Sequence, residues 1–184
     1  MDFSELISLR QSVRRFDDRA VEEEKLMKCL NAARLAPSAS NSQPWSFIVV
    51  DEPELRTLVA HSTYSTIVVF NRFVLHAPVI VAIILEKPRI ITEVGIRLKH
   101  KEWPLIDIGI TAEHLCLQAA ELGLGTCMLG WFDEKKVKEL LHIPADKNVA
   151  LLIALGYPVP GYTLRKKKRK DMEKICWYNR YGGH

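Results

Sequence analysis

The sequence predicts one compact domain in which helices and strands alternate along the chain. Three observations carry this reading. Short β-branched or aromatic runs stand at 45–50, 79–85, 126–131 and 149–155, and helical patterns lie between them. The 184 residues, 48% of them hydrophobic, can bury a core without disulfides or metals. Neither an internal repeat nor a low-complexity linker divides the chain, so residues 1–184 are read as a single domain.

Asp2 to Arg10 opens the chain as a short helix, with Asp2 or Ser4 as cap and Phe3, Leu6, Ile7 and Leu9 as an apolar face. Glu22 to Ala36 is the second helix: Leu26, Leu30 and Ala33 keep helical spacing, acidic residues sit at its start, and Pro37 ends it. Trp45 to Val50 is a strand, and Pro53 opens a helix that runs to about Ala60. Val79 to Leu85 is an unbroken apolar run, as expected of a strand covered on both faces. Glu86 to Trp103 mixes charges with Pro88 and Gly95 and has no firm period, which reads as a lid or excursion.

Ile108, Ala112, Leu115, Ala119 and Leu122 step by four and three, so Asp107 to Leu122 is read as the central helix, with Gly123 as its C-terminal cap. Thr126 to Trp131 is then a strand, Glu134 to Leu141 a helix stopped near Pro144, and Val149 to Leu155 a buried strand. From Tyr157 onward Pro158, Pro160 and Gly161 break regular structure, and a tail follows that carries Trp177 and Tyr178. Disordered tails are poor in aromatics, so this one is expected to dock on something.

A net charge of +4, much of it concentrated in Arg165 to Lys170, argues against a global role in nucleic-acid binding. No apolar run is long enough to cross a bilayer, the first residues lack a signal-peptide pattern, and the four scattered cysteines suit buried thiols. A cytoplasmic protein without a membrane partner is expected. Several chemistries find no support. The glycines Gly123, Gly125 and Gly130 follow a helix and precede a strand, the reverse of the dinucleotide-binding order. The six histidines show no metal-ligand spacing, and no serine lies in a nucleophile elbow.

Three polar stretches remain. In Arg10-Gln11-Ser12-Val13-Arg14-Arg15-Phe16, alternate residues Arg10, Ser12 and Arg14 lie on one side of an extended segment and can offer two guanidinium groups and a hydroxyl to an anion; a solvated basic turn is the alternative. Arg165-Lys166-Lys167-Lys168-Arg169-Lys170 contains no aromatic to stack on bases, which leaves a solvated charge run or an anion site. Ala36 to Trp45 is a loop of small hydrogen-bonding residues, suited to the rim of a flat ligand or to an ordinary surface turn.

Taken in order, these stretches resemble the nitroreductase family of FMN-dependent oxidoreductases over nearly the whole chain. The likeness rests on the 10–16 segment, the Ala36-Pro37-Ser38 to Pro44-Trp45 loop, Asp107-Ile108-Gly109 with Leu122 to Cys127, and Phe132-Asp133-Glu134 with Leu140 to Pro144. Leu155-Gly156-Tyr157-Pro158 and the basic tail ending in Tyr178-Asn179-Arg180-Tyr181 complete it. The resemblance implies an α+β fold with a central, mainly antiparallel sheet between helices. It also implies an intertwined homodimer in which residues 157–184 embrace the partner, and a tightly but non-covalently bound FMN touched by both chains.

By the same resemblance, Arg10 and Ser12 hold the FMN phosphate with Lys167 and Arg169 of the tail. Arg14 sits at the N1 and C2 carbonyl side of the flavin, where a cation favours the reduced form. Pro37, Ser38 and Asn41 line the ring from the other subunit, and Leu129, Gly130 and Asn71 contact the flavin. Gln11 stands where the family often has arginine, which removes one cationic contact. The implied activity is ping-pong transfer of hydride from NADH or NADPH to FMN and on to an electron-poor acceptor such as a nitroaromatic or quinone. No protein residue is the reacting centre, and no metal is involved. A flavin-binding sensor or storage module without turnover is the alternative.

Overall fold

The computed structural model describes residues 1–87 and 103–182. Among them, four strands form one sheet in the order β1-β2-β4-β3: β1 Trp45–Val50, β2 Val79–Leu85, β3 Gly125–Leu129 and β4 Asn148–Gly156. All three pairings are antiparallel, with Trp45 opposite Leu85, Val79 opposite Leu155, and Gly125 opposite Gly156. The helices are α1 Phe3–Leu9, α2 Glu23–Arg34, α3 Pro53–His61, α4 Trp103–Glu121 and α5 Glu134–Leu140. Short 3-10 turns stand at Ala39–Asn41, Arg72–His76 and Met172–Lys174.

Side chains alternate across the two central strands, and this alternation builds two cores rather than one. Ile80, Ala82, Ile84, Leu152 and Ala154 pack beneath α3, α5 and the 72–76 turn. Val79, Val81, Ile83, Ile153 and Leu155 pack beneath α2 and α4. Each fully buried Ile or Leu contributes about 1.5–3 kcal/mol. The sheet is thus sandwiched between helices, which explains why β2 and β4 read as unbroken apolar runs rather than as alternating ones.

Local chemistry sets the boundaries. Asp2 and Glu5 close a reciprocal capping box at the start of α1. Glu52 accepts from Glu54 N–H and Leu55 N–H ahead of Pro53, and Asp133 accepts from Lys136 N–H. At the end of α4, Gly123 takes φ +76°, its N–H donates to Ala120 C=O, and Leu124 N–H reaches Ala119 C=O, the paired bonds of a Schellman cap. Two positions differ from expectation. Helix α4 begins at Trp103 rather than Asp107, because Pro104 sits in the first turn, where its missing N–H costs no bond. Strand β3 ends at Leu129, before Gly130 and Trp131, because Asn71 and Ser62 capture the backbone of the following loop. Of the expected lid at 86–103, residues 88–102 lie outside the described residues.

Two features of the periphery matter for the site. No residue of α1 is buried, and its apolar face stands open, with Phe3 67% and Ile7 45% exposed. The tail leaves Met172, Ile175, Tyr178 and Tyr181 exposed, while Trp177 is half-buried against Tyr181. Among the described residues no helix is long and apolar enough to cross a membrane.

Candidate functional site

The 10–16 segment runs along the free edge of β3. Val13 N–H donates to Thr126 C=O at 2.8 Å, and Ser12 forms a parallel bridge with Thr126. The approach depends on Gly125: a Cβ there would lie 2.5 Å from Val13 Cγ2 and 2.7 Å from its Cβ, in a side chain too stiff to give way. Val13 and Phe16 turn inward and are buried. Arg10 reaches α4, where its Nε stands 3.0 Å from Glu113 Oε1, although the Nε–H is not aligned for a hydrogen bond.

The chain returns to this segment after β4. Phe16 bridges Pro158, and Val159 N–H donates to Arg15 C=O. Gln11 then pins the tail with its amide: Nε2 donates to Thr163 C=O at 3.3 Å, and Oε1 accepts from Arg165 N–H at 3.1 Å. The Arg165 guanidinium donates to Ser12 C=O, and Lys167 Nζ donates to Ile7 C=O. Between segment and tail lies a cavity of about 330 Å³, lined by Arg10, Gln11, Ser12 and residues 165–169.

Six cationic side chains line this cavity, and a carboxylate, Glu113, pairs with one of them, Arg10. Burial pushes the Lys167 pKa down, and the charges of Arg10 and Arg169 push it further the same way. A cation crowded by like charges and an unbonded arginine Nε are what a bound anion relieves. The residues present therefore fit a phosphate group.

Arg14 lies beyond this cavity, exposed, with its guanidinium carbon 5.9 Å from the centroid of the Phe73 ring. Its backbone N–H donates to the Tyr162 hydroxyl. Leu129 is buried at the end of β3, and Gly130 is exposed beside it. Asn71 is buried, and its amide donates to Thr63 C=O at 3.1 Å and to Trp131 C=O at 3.2 Å, tying the loop after Gly130 to the 63–71 loop.

Pro37, Ser38 and Asn41 belong to a strained loop that does not line the basic cavity. Ser40, Asn41 and Gln43 hold φ of 51°, 51° and 47°, a left-handed conformation that costs non-glycine residues about 1–3 kcal/mol each. Side chains impose it. Ser38 Oγ accepts from Gln43 N–H at 2.9 Å, and Gln43 Nε2 donates to Asn41 Oδ1 at 3.0 Å. Asp107 of α4, 4% exposed, accepts Ala39 N–H with both carboxylate oxygens at 3.2 Å. Burial pushes the Asp107 pKa up, and the Ala39 N–H opposes that rise.

Cys29, Cys116 and Cys127 are buried free thiols whose pKa values burial pushes up, to about 11 for Cys29 and about 12 for Cys116, while the one exposed free thiol, Cys176, stands on the tail outside the basic cavity. Residues 7–157 match the model of the nitroreductase family. The chain belongs to that family. A candidate NADH dehydrogenase/NAD(P)H nitroreductase of Archaeoglobus fulgidus is 31% identical over 157 residues, covering 83% of each chain. An oxygen-insensitive NADPH nitroreductase of Helicobacter pylori is 28% identical, covering 94% of this chain and 95% of its own. A solved FMN-dependent nitroreductase of Clostridium difficile superposes with a TM-score of 0.75 at 30% identity, over 95% of this chain and 98% of its own.

In this nitroreductase-family chain, the structure gathers Arg10, Gln11, Ser12, Lys167 and Arg169 around one cavity and leaves Pro37, Ser38 and Asn41 on a separate loop. Sequence reasoning missed Arg165, which takes up Gln11 and the Ser12 carbonyl; extended-chain alternation with Lys167 and Arg169 was the available signal. It also missed the two anchors on α4. Asp107 and Glu113 read as ordinary helix residues until the arm and the loop are seen to reach them.

Proposed function

We propose that the chain is an FMN-dependent oxidoreductase that uses NADH or NADPH to reduce electron-poor acceptors such as nitroaromatics or quinones. The basic cavity carries the proposal, since six cationic side chains and the Ser12 hydroxyl surround one space able to receive a phosphate. FMN, when bound, would supply two-electron transfer between donor and acceptor, so the reaction would need no protein nucleophile. Arg10, Ser12, Lys167 and Arg169 would hold its phosphate, and Gln11 and Arg165 would keep the tail against the 10–16 segment. Arg14 would place positive charge beside the ring edge that becomes anionic on reduction. Leu129, Gly130 and Asn71 would shape the adjoining wall. Donor and acceptor then use the same open face in turn.

The same proposal includes a homodimer. The open apolar face of α1, the exposed Leu105 and Ile106 of α4, and the uncovered Ile175, Tyr178 and Tyr181 of the tail support a second copy as their cover. In that assembly the tail stays on its own 10–16 segment as far as Lys167, its end from Met172 onward reaches the partner, and Pro37, Ser38 and Asn41 of one copy face the basic cavity of the other. Absorption spectra of purified protein with FMN, before and after anaerobic NADH or NADPH, test the reading. Flavin bands that stay with the protein and bleach within the mixing time are the expected result. Bound flavin that neither donor bleaches would point to a sensor or storage module, and absence of binding would overturn the proposal.

A further inference from the structure

In the proposed site Arg14 stands at the flavin ring rather than at its phosphate, and among the described residues its guanidinium has no carboxylate or carbonyl partner. An exposed arginine held by nothing spreads its charge over many rotamers, and water screens what remains. Two contacts restrict Arg14 instead. Its guanidinium carbon lies 5.9 Å from the centroid of the Phe73 ring, and its backbone N–H donates to the Tyr162 hydroxyl at 3.1 Å. Both partners are themselves fixed. Phe73 is half-buried against the core beneath α3 and α5 and stacks on buried Phe16, with 6.3 Å between ring centroids. Tyr162 packs on the same core, and its N–H donates to Val159 C=O at 3.0 Å. The charge so held is felt at the end of β3: burial pushes the Cys127 thiol pKa up, and Arg14 opposes that rise, two residues before Leu129.

We propose that Phe73 and Tyr162 are positioning residues for Arg14: the ring carries the guanidinium, the hydroxyl fixes the backbone behind it, and together they set how strongly the site prefers reduced over oxidised flavin. This rests on the flavin oxidoreductase reading above. Hydride from NADH or NADPH adds one negative charge to the bound flavin, and the benefit of a nearby cation falls with distance. A guanidinium fixed by a platform therefore favours the reduced form more than one free to swing into solvent.

The test is the midpoint potential of the FMN-loaded protein, read by anaerobic reductive titration against a reference dye. Arg14→Met should weaken reduced relative to oxidised flavin about tenfold, which lowers the potential of a two-electron couple by about 30 mV. Phe73→Leu should act in the same direction by about two- to fivefold, the value of a cation–π contact at an exposed site, and Phe73→Tyr, which keeps the aromatic face, should restore the wild-type potential. Tyr162→Phe keeps the packing, loses the acceptor, and should cost about twofold. The double variant Arg14→Met/Phe73→Leu should lie no lower than Arg14→Met alone, because the ring acts through the cation. In the protein without FMN, the Arg14 Hε proton resonance should move downfield on Phe73→Leu as the ring current is lost. A wild-type potential in Phe73→Leu, an equal fall with Arg14 absent, or an Arg14 resonance indifferent to Phe73 overturns the inference and leaves the flavin reading intact. Failure of the wild type to retain FMN overturns that reading, and the inference with it.

Discussion

Helix α4 carries two carboxylates six residues apart, about 9 Å along its axis, and they hold two parts of the candidate site by opposite means. Glu113 is partly exposed and pairs with a cation, Arg10. Asp107 is buried and receives a backbone N–H from a strained loop. The first arrangement is electrostatic, so salt screens it and substitutions alter affinity; the second is geometric, so salt leaves it alone and substitutions alter shape. A flavin needs both: a charge site for its phosphate and a rigid rim for its ring.

The largest effect is expected where charge meets ligand directly. Arg10→Ala and Arg169→Ala should each weaken FMN binding about tenfold to a hundredfold, since a charge-assisted hydrogen bond is worth about 1.5–3 kcal/mol. Flavin fluorescence titration measures this, and unchanged affinity in both variants removes the phosphate assignment. Gly125→Ala should come next. Its new methyl would meet Val13 and push the 10–16 segment off β3, carrying Arg10 and Ser12 out of place and lowering FMN affinity as well as the melting temperature. If affinity holds while stability falls, the approach of this segment to β3 is structural only.

Asp107 sharpens the comparison through pH. Burial raises its folded pKa, so the folded protein binds that proton more tightly than the unfolded chain does. Its contribution is most favourable at low pH and is lost as pH rises from the ordinary carboxylate value through the raised one. Asp107→Asn removes the titration and keeps an acceptor for Ala39 N–H. The variant should therefore gain on the wild type across that window, read as a growing difference in urea midpoints. A difference that shrinks with pH would contradict the burial argument. The smallest effect is expected for Glu113→Gln: a partly exposed pair is worth about 0–1 kcal/mol, so stability should barely move, and FMN should bind slightly tighter at low salt for want of a nearby negative charge.

Much of the fold was legible because its strands and helices carry strong local signals. Trp45–Val50 and Val79–Leu85 appear at the boundaries their β-branched runs predict, and Gly123 caps α4 as its spacing requires. Strand direction was not legible from patterning. Val79–Leu85 is covered on both faces, so its pattern lacks the alternation that an antiparallel strand with one wet face would show; the antiparallel expectation came from the resemblance alone. In the candidate site, the cations were visible as residue types, but the side each faces depends on Gln11 and Ser12 reaching residues more than 150 positions away. Asp107 was hidden for a similar reason. A carboxylate in the first turns of a helix looks solvated until a loop from elsewhere closes over it.

The central claim is that the cavity between residues 10–12 and 165–169 receives the phosphate of FMN. The most direct measurement compares the affinity of the wild-type protein for FMN and for riboflavin, which shares the ring and lacks the phosphate. The account predicts FMN binding at least about a hundredfold tighter at low salt, with the gap narrowing as salt is added. Equal affinity for the two flavins, or a gap indifferent to salt, would contradict it.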